Sequence, residues 1–113
     1  MPSFEPGHVV KVPFPYTDRA TRQRRPALVV SVARLAEDHG LLWVLMITSA
    51  ENRRWPDDIE ITALAQAGLP AASVIRPAKI ATIESRDAEP LGRIGVAVLA
   101  KVRSHLARTL GLS

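Results

Sequence analysis

The sequence predicts a mainly β domain with α+β content: a small, strongly bent sheet or barrel, followed by one C-terminal helix. Three observations lead there. Apolar segments rich in Val, Leu and Ile recur at short intervals between residues 8 and 84. Gly and Pro fall between those segments, where turns are needed. Past residue 95 the apolar spacing lengthens to three and four, which is helical. A chain of 113 residues and 12.3 kDa suits one domain spanning 1–113, because two separate cores would each be too small to offset chain entropy.

Gly7 opens a segment, His8 to Phe14, in which Val10, Val12 and Phe14 alternate with Val9, Lys11 and Pro13, as in a strand with one face in the core. Pro13 suggests an edge or a bulge. From Pro15 to Arg25 the chain is polar and cationic and lacks apolar periodicity, so it reads as a loop carrying Arg19, Arg22, Arg24 and Arg25. Two dense apolar runs follow, Pro26 to Ala33 and Leu41 to Ser49. RLAEDHG separates them, and its His39-Gly40 pair suggests the turn of a hairpin. A symmetric loop there sets Leu28 opposite Leu45 and Val30 opposite Trp43. Pro26 with Ile47 and Val32 with Leu41 extend that apolar face. Ala27 with Met46 and Val29 with Val44 make the other face apolar as well. In so small a domain a second protomer is a reasonable cover for one of the two faces, which implies a homodimer.

The same register sets Arg25 opposite Thr48, so that a guanidinium and a hydroxyl project from one rim of the sheet. AENRRWPDD, residues 50 to 58, then leaves the sheet as a loop exposing Arg53, Arg54 and Trp55. Ile59 to Ile61 reads as a short strand, and Thr62 to Gly68 as a turn or two of helix capped by Thr62 and ended by Gly68. Ser73 to Arg76 and Lys79 to Glu84 read as two strands interrupted by Pro77, and GRIG at 92 to 95 as the turn leading out. Val98, Leu99, Val102, Leu106 and Leu110 then line one face of a terminal helix, with Lys101, Arg103, Ser104 and Arg108 opposite and Gly111 past its end.

Composition narrows the chemistry. Lys and Arg number 15 against 11 Asp and Glu, a net charge of +4 and a pI near 10.3, which favours an anionic partner. With no cysteine there is no disulfide, zinc-thiolate site or thiol nucleophile. The longest apolar run, Leu41 to Ile47, is far below the roughly 20 residues of a membrane helix. The first residues also lack a basic segment followed by an apolar one, so a cytoplasmic protein with no membrane contact is expected. His8, His39 and His105 lack metal-ligand spacing, and Asp57, Asp58 and Glu60 read as a solvated strand edge, so no metal site is expected. No phosphate-loop, dinucleotide or nucleophile-elbow motif occurs. An Arg cluster is by default a solvated surface. Arg25 beside Thr48 points elsewhere, because a planar guanidinium with a nearby hydroxyl suits the oxygens of a phosphodiester.

GHVVKVPFPYTD from Gly7 to Asp18, RRPALVVS from Arg24 to Ser31, Ile47-Thr-Ser49, Gly68-Leu-Pro with Ser73, and RPAKIATI from Arg76 to Ile83 resemble the MazF/PemK family. The similarity runs nearly end to end. It implies an SH3-like barrel related to the gyrase poison CcdB, and a toxin of a type II toxin-antitoxin module. It further implies a homodimeric, metal-independent, sequence-selective endoribonuclease that cuts single-stranded messenger RNA without a cofactor. Arg25 and Thr48 take the family's catalytic positions. Arg24, Ser49, Arg53, Arg54, Arg76 and Lys79 fall where substrate is held, with Trp55 either stacking on a base or serving as a packing anchor. A cognate antitoxin would insert an acidic segment in the same groove, competing with RNA for the arginines. The sequence departs from the family pattern at His8, in the first loop and at Ala78. Two rival readings share the scaffold, a gyrase poison without nuclease chemistry and a noncatalytic RNA-binding module.

Overall fold

β2 (Arg25–Val29) and β3 (Leu41–Ser49) pair antiparallel, with Ala27 opposite Met46, Leu28 opposite Leu45 and Val29 opposite Val44. That is the register a symmetric connection between the two strands implies. The computed structural model describes residues 3–14 and 23–112, so Arg19 and Arg22 of the basic loop lie outside the described residues. In place of a hairpin loop, a helix, α1 (Ala33–His39), joins β2 to β3. It is held locally, by Arg34 Nε donating to Asp38 Oδ2 at 3.1 Å one turn on and by Gly40 N–H closing on Ala36 O at 2.8 Å.

Six strands form one curled antiparallel sheet in the order β4-β5-β3-β2-β1-β6. β1 (His8–Val12) lies inside it, between β2 and β6 (Glu89–Arg93), so Pro13 marks neither an edge nor a bulge and simply follows the last paired residue. β5 (Ser73–Glu84) is one strand and not two. Its register against β3 jumps from Ile80 opposite Leu45 to Arg76 opposite Met46, which leaves Pro77, Ala78 and Lys79 outside the ladder. β4 (Ile59–Glu60) is the short edge strand on β5.

A four-residue helix, α2 (Leu64–Ala67), leads away from β4 and packs on β6 at the opposite edge, which curls the sheet toward closure. Glycine makes that approach possible: a Cβ at Gly68 would stand 2.1 Å from Leu91 O, and one at Gly92 2.3 Å from Gln66 O. Thr62 is not its cap, for the N-cap position is Ala63 and no side chain hydrogen-bonds there.

Two apolar clusters fill the two faces of the sheet. Val9, Leu28, Leu45, Ile47 and Ile75 pack with Val98 and Val102 of α3 (Val96–Thr109), supported by Leu99 and Leu106. Leu110 lies past the helix and is exposed, unlike the four apolar residues before it. On the other face Val10, Val12, Ala27, Val29, Leu42 and Val44 are fully buried under Phe4, Phe14 and Ala36. That second face is therefore closed by the chain's own residues, and covering it requires no other protomer. Val32, Trp43 and Ile80 remain as exposed apolar side chains, although the sequence places the first two on a covered face.

Candidate functional site

Arg25 is the first residue of β2 and Thr48 the penultimate residue of β3. Carrying the Ala27–Met46 pairing two places outward sets them level, at the end of the strand pair remote from α1. Arg25 is exposed, its guanidinium donating to Gln23 Oε1 at 2.7 Å. Thr48 is half-buried, its Oγ1 accepting from Asn52 Nδ2 at 2.7 Å. Their hydrogen bonds thus run to neighbours, not to one another. Ser49 is exposed beside Thr48, its Oγ accepting the Glu51 N–H at 3.2 Å.

Arg24 serves the scaffold. One guanidinium nitrogen donates to Lys11 O at 3.1 Å and to Asp87 O at 2.8 Å and lies 3.6 Å from Glu89. It thereby straps β1 to the 3₁₀ turn Ser85–Asp87.

Arg76 occupies a different environment from a surface phosphate contact. It is buried on β5, with Nε donating to Asp58 Oδ1 at 3.2 Å, a terminal nitrogen to Asp58 Oδ2 at 3.0 Å, and the same nitrogen to Arg53 O at 2.8 Å. The Trp55 ring covers it, centroid 4.5 Å from the guanidinium carbon. Asp58 also accepts the Trp55 backbone N–H at 3.0 Å. A buried ion pair therefore fastens the 50–58 loop to the sheet beside the residues that leave the β5 ladder. Arg53 and Arg54 of that loop stay exposed, with Arg54 3.8 Å from both Asp58 and Glu60. The Lys79 ammonium lies 5.6 Å from the Trp55 centroid.

The Asp58 carboxyl sits below its ordinary pKa. Burial pushes it up, but hydrogen bonds from Arg76 and the Trp55 N–H, with the charges of Arg76 and Arg54, outweigh that. Asp58 is thus no solvated edge residue. It precedes β4, so strand alternation does not govern where it points. The sequence signal for it is the WPDD turn, in which Asp57 adopts φ 71° and returns the next carboxylate to the Trp55 N–H.

His8 is pushed below its usual pKa by burial and then by the Arg93 charge, against Glu5. Its Nδ1 accepts the Glu5 N–H at 2.8 Å. His105 Nε2 lies 3.4 Å from Asp57 Oδ2. Among the described residues no group of three or more His, Asp or Glu gathers as a metal site, and no helix is long and apolar enough to cross a membrane.

The family model for the PemK-like, MazF-like toxin of type II toxin-antitoxin systems matches residues 5–110. The chain belongs to the PemK/MazF toxin family. A search of curated protein sequences gives no match. Among solved structures, MazF from Deinococcus radiodurans is 29% identical at a TM-score of 0.79, covering 98% of this chain and 99% of that one. A MazE–MazF complex from the same organism is 28% identical at 0.77, with full coverage of both chains. An endoribonuclease with its cognate antitoxin from a mycobacterial species, 18% identical, shares the fold at 0.75 over 100% of this chain and 98% of that one. The curled sheet with its C-terminal helix is the MazF fold. Within this PemK/MazF chain, of the residues the resemblance singles out, Arg25, Ser49, Arg53 and Arg54 are exposed, Thr48 and Lys79 half-buried, and Arg24 and Arg76 hold backbone carbonyls of other elements.

Proposed function

We propose that this chain is a toxin acting as a sequence-selective endoribonuclease on single-stranded RNA, messenger RNA in the cell. Its cleavage is metal-independent and uses no cofactor. The reading is supported most by Arg25 and Thr48, which come level at one end of the β2–β3 pair when its register is carried two residues past the Ala27–Met46 pair. The ribose 2′-oxygen attacks the adjacent phosphorus while the bond to the 5′-oxygen breaks. The 2′-hydroxyl loses its proton and the leaving 5′-oxygen gains one, so the products are a 2′,3′-cyclic phosphate and a 5′-hydroxyl. Arg25 and Thr48 donate to the nonbridging oxygens as charge gathers there. A guanidinium carries five N–H donors and no acceptor, which fits Arg25 to the phosphate and to the leaving oxygen. Arg53, Arg54 and Lys79 guide the RNA backbone, with Arg24 and Ser49 flanking the reacting pair.

MazF from Deinococcus radiodurans is found with MazE, and the mycobacterial endoribonuclease with its cognate antitoxin. We extend this to an antitoxin partner for this chain, whose acidic segment competes with RNA for the exposed arginines. A homodimer acting in the cytoplasm completes the reading, and a monomeric mass by light scattering would remove the dimer.

The decisive assay incubates the protein with a long RNA in EDTA and maps the ends. Cyclic-phosphate ends are expected, and Arg25→Ala should slow cutting by about 10² to 10³. Its melting temperature should hold, because Arg25 is exposed and, among the described residues, its side chain hydrogen-bonds to Gln23 alone. Cutting retained by Arg25→Ala refutes the assignment. Intact RNA with inhibited DNA supercoiling would indicate a gyrase poison, and bound but uncut RNA a binding module.

A further inference from the structure

Trp55 is placed unlike an anchoring tryptophan. It joins neither apolar cluster, and its ring neighbours are two cations, Arg76 at 4.5 Å and Lys79 at 5.6 Å from the centroid. It nevertheless keeps 36% of its surface open. Its backbone N–H and the Arg76 guanidinium bind the same Asp58 oxygen, each at 3.0 Å, so the ring, the cation beneath it and the loop are fixed as one unit. The Asp58 side chain is only 1% exposed and paired, so it presents no negative surface to a ligand. Lys79 borders the ring, and the same loop exposes Arg53 and Arg54, the latter 3.8 Å from Glu60, alongside the acids Glu51 and Asp57. A partly exposed indole bordered by cations fits a ligand that carries both flat rings and regularly spaced negative charge, which describes an unpaired polynucleotide.

We propose that the Trp55 indole is a stacking platform for an unpaired base of single-stranded RNA, with Arg76 and Asp58 as positioning residues that fix the ring in place. This rests on the RNA reading above and adds a base-contacting subsite to it. Lys79 and the exposed loop arginines meet the phosphates on either side of the stacked base.

The test uses a 2′-O-methyl oligoribonucleotide, which lacks the attacking hydroxyl and so survives binding. In a Trp43→Phe background Trp55 is the only indole, and titration should quench its fluorescence, whereas tripolyphosphate, charged but without bases, should not. By anisotropy of the labelled oligonucleotide, Trp55→Leu should weaken binding about fivefold or more, while Trp55→Phe, which keeps a π face, should restore most of the loss. Binding by Trp55→Leu equal to that of the parent, or equal quenching by tripolyphosphate, overturns the platform and leaves the RNA reading standing. Failure of the parent itself to bind the oligonucleotide overturns both.

Discussion

Removing the carboxylate of Asp58 should be among the costliest single changes to this fold. The Asp58 side chain is 1% exposed and that of Arg76 8%, so both charges are out of water. Asp58→Ala deletes two hydrogen bonds from Arg76 and one from the Trp55 N–H. Arg76 is left buried with the Arg53 carbonyl and the indole face as its remaining partners. Breaking one side of a buried pair costs about 3–5 kcal/mol. The Arg54 contact adds little, because that side chain is 48% exposed and the separation is 3.8 Å. For a chain of 113 residues the lower figure lowers the melting temperature by about 12 °C. Urea unfolding followed by circular dichroism measures the loss. A double variant, Asp58→Leu with Arg76→Met, should recover most of it by removing both charges together. A loss below about 1 kcal/mol in Asp58→Ala would refute the claim that this pair fastens the loop.

Three further outcomes are expected. Because the folded pKa of His8 lies below the unfolded 6.5, the unfolded chain binds more protons in mild acid. Stability should be flat above that value and fall as pH drops through it toward the folded pKa, and His8→Asn should remove this part of the slope in urea midpoints. Gly92→Ala should cost about 1–3 kcal/mol, because its Cβ would stand 2.3 Å from Gln66 O and drive α2 off β6, which calorimetry would report. Affinity for single-stranded RNA should fall steeply with added salt, and replacing Arg53 or Arg54 should reduce the logarithmic slope by roughly 0.7 per cation.

The central register was legible from the symmetry of the connection, which a seven-residue helix centred on the same residues preserves, and not from the apolar pattern, because strands apolar on both faces would tolerate a slip. RLAEDHG was misleading because α1 buries none of its residues fully, so no apolar stripe marks it in the sequence. β6 was missed since Pro90 and Gly92 are poor strand residues, tolerated here at an edge beside a register offset. Pro77 reads as a strand break, yet the ladder absorbs it by stepping over three residues. Pairing arithmetic puts Arg25 level with Thr48, two residues beyond the last paired residues, Ala27 and Met46. The burial of Arg76 does not follow from it, since its partner lies 18 residues earlier, in a loop where no periodicity operates.

The step in β5 separates two demands that a strand normally meets with the same residues. On either side of it every position answers to a partner across the ladder, so substitutions there must suit the neighbour. Residues 78 and 79 answer to none, and Lys79 reaches the ring of Trp55. Descendants of this chain are free to rewrite that short insert, or to change its length, while the frame on both sides keeps its alignment. Variation at the surface beside Trp55 has a place to accumulate that the fold does not police.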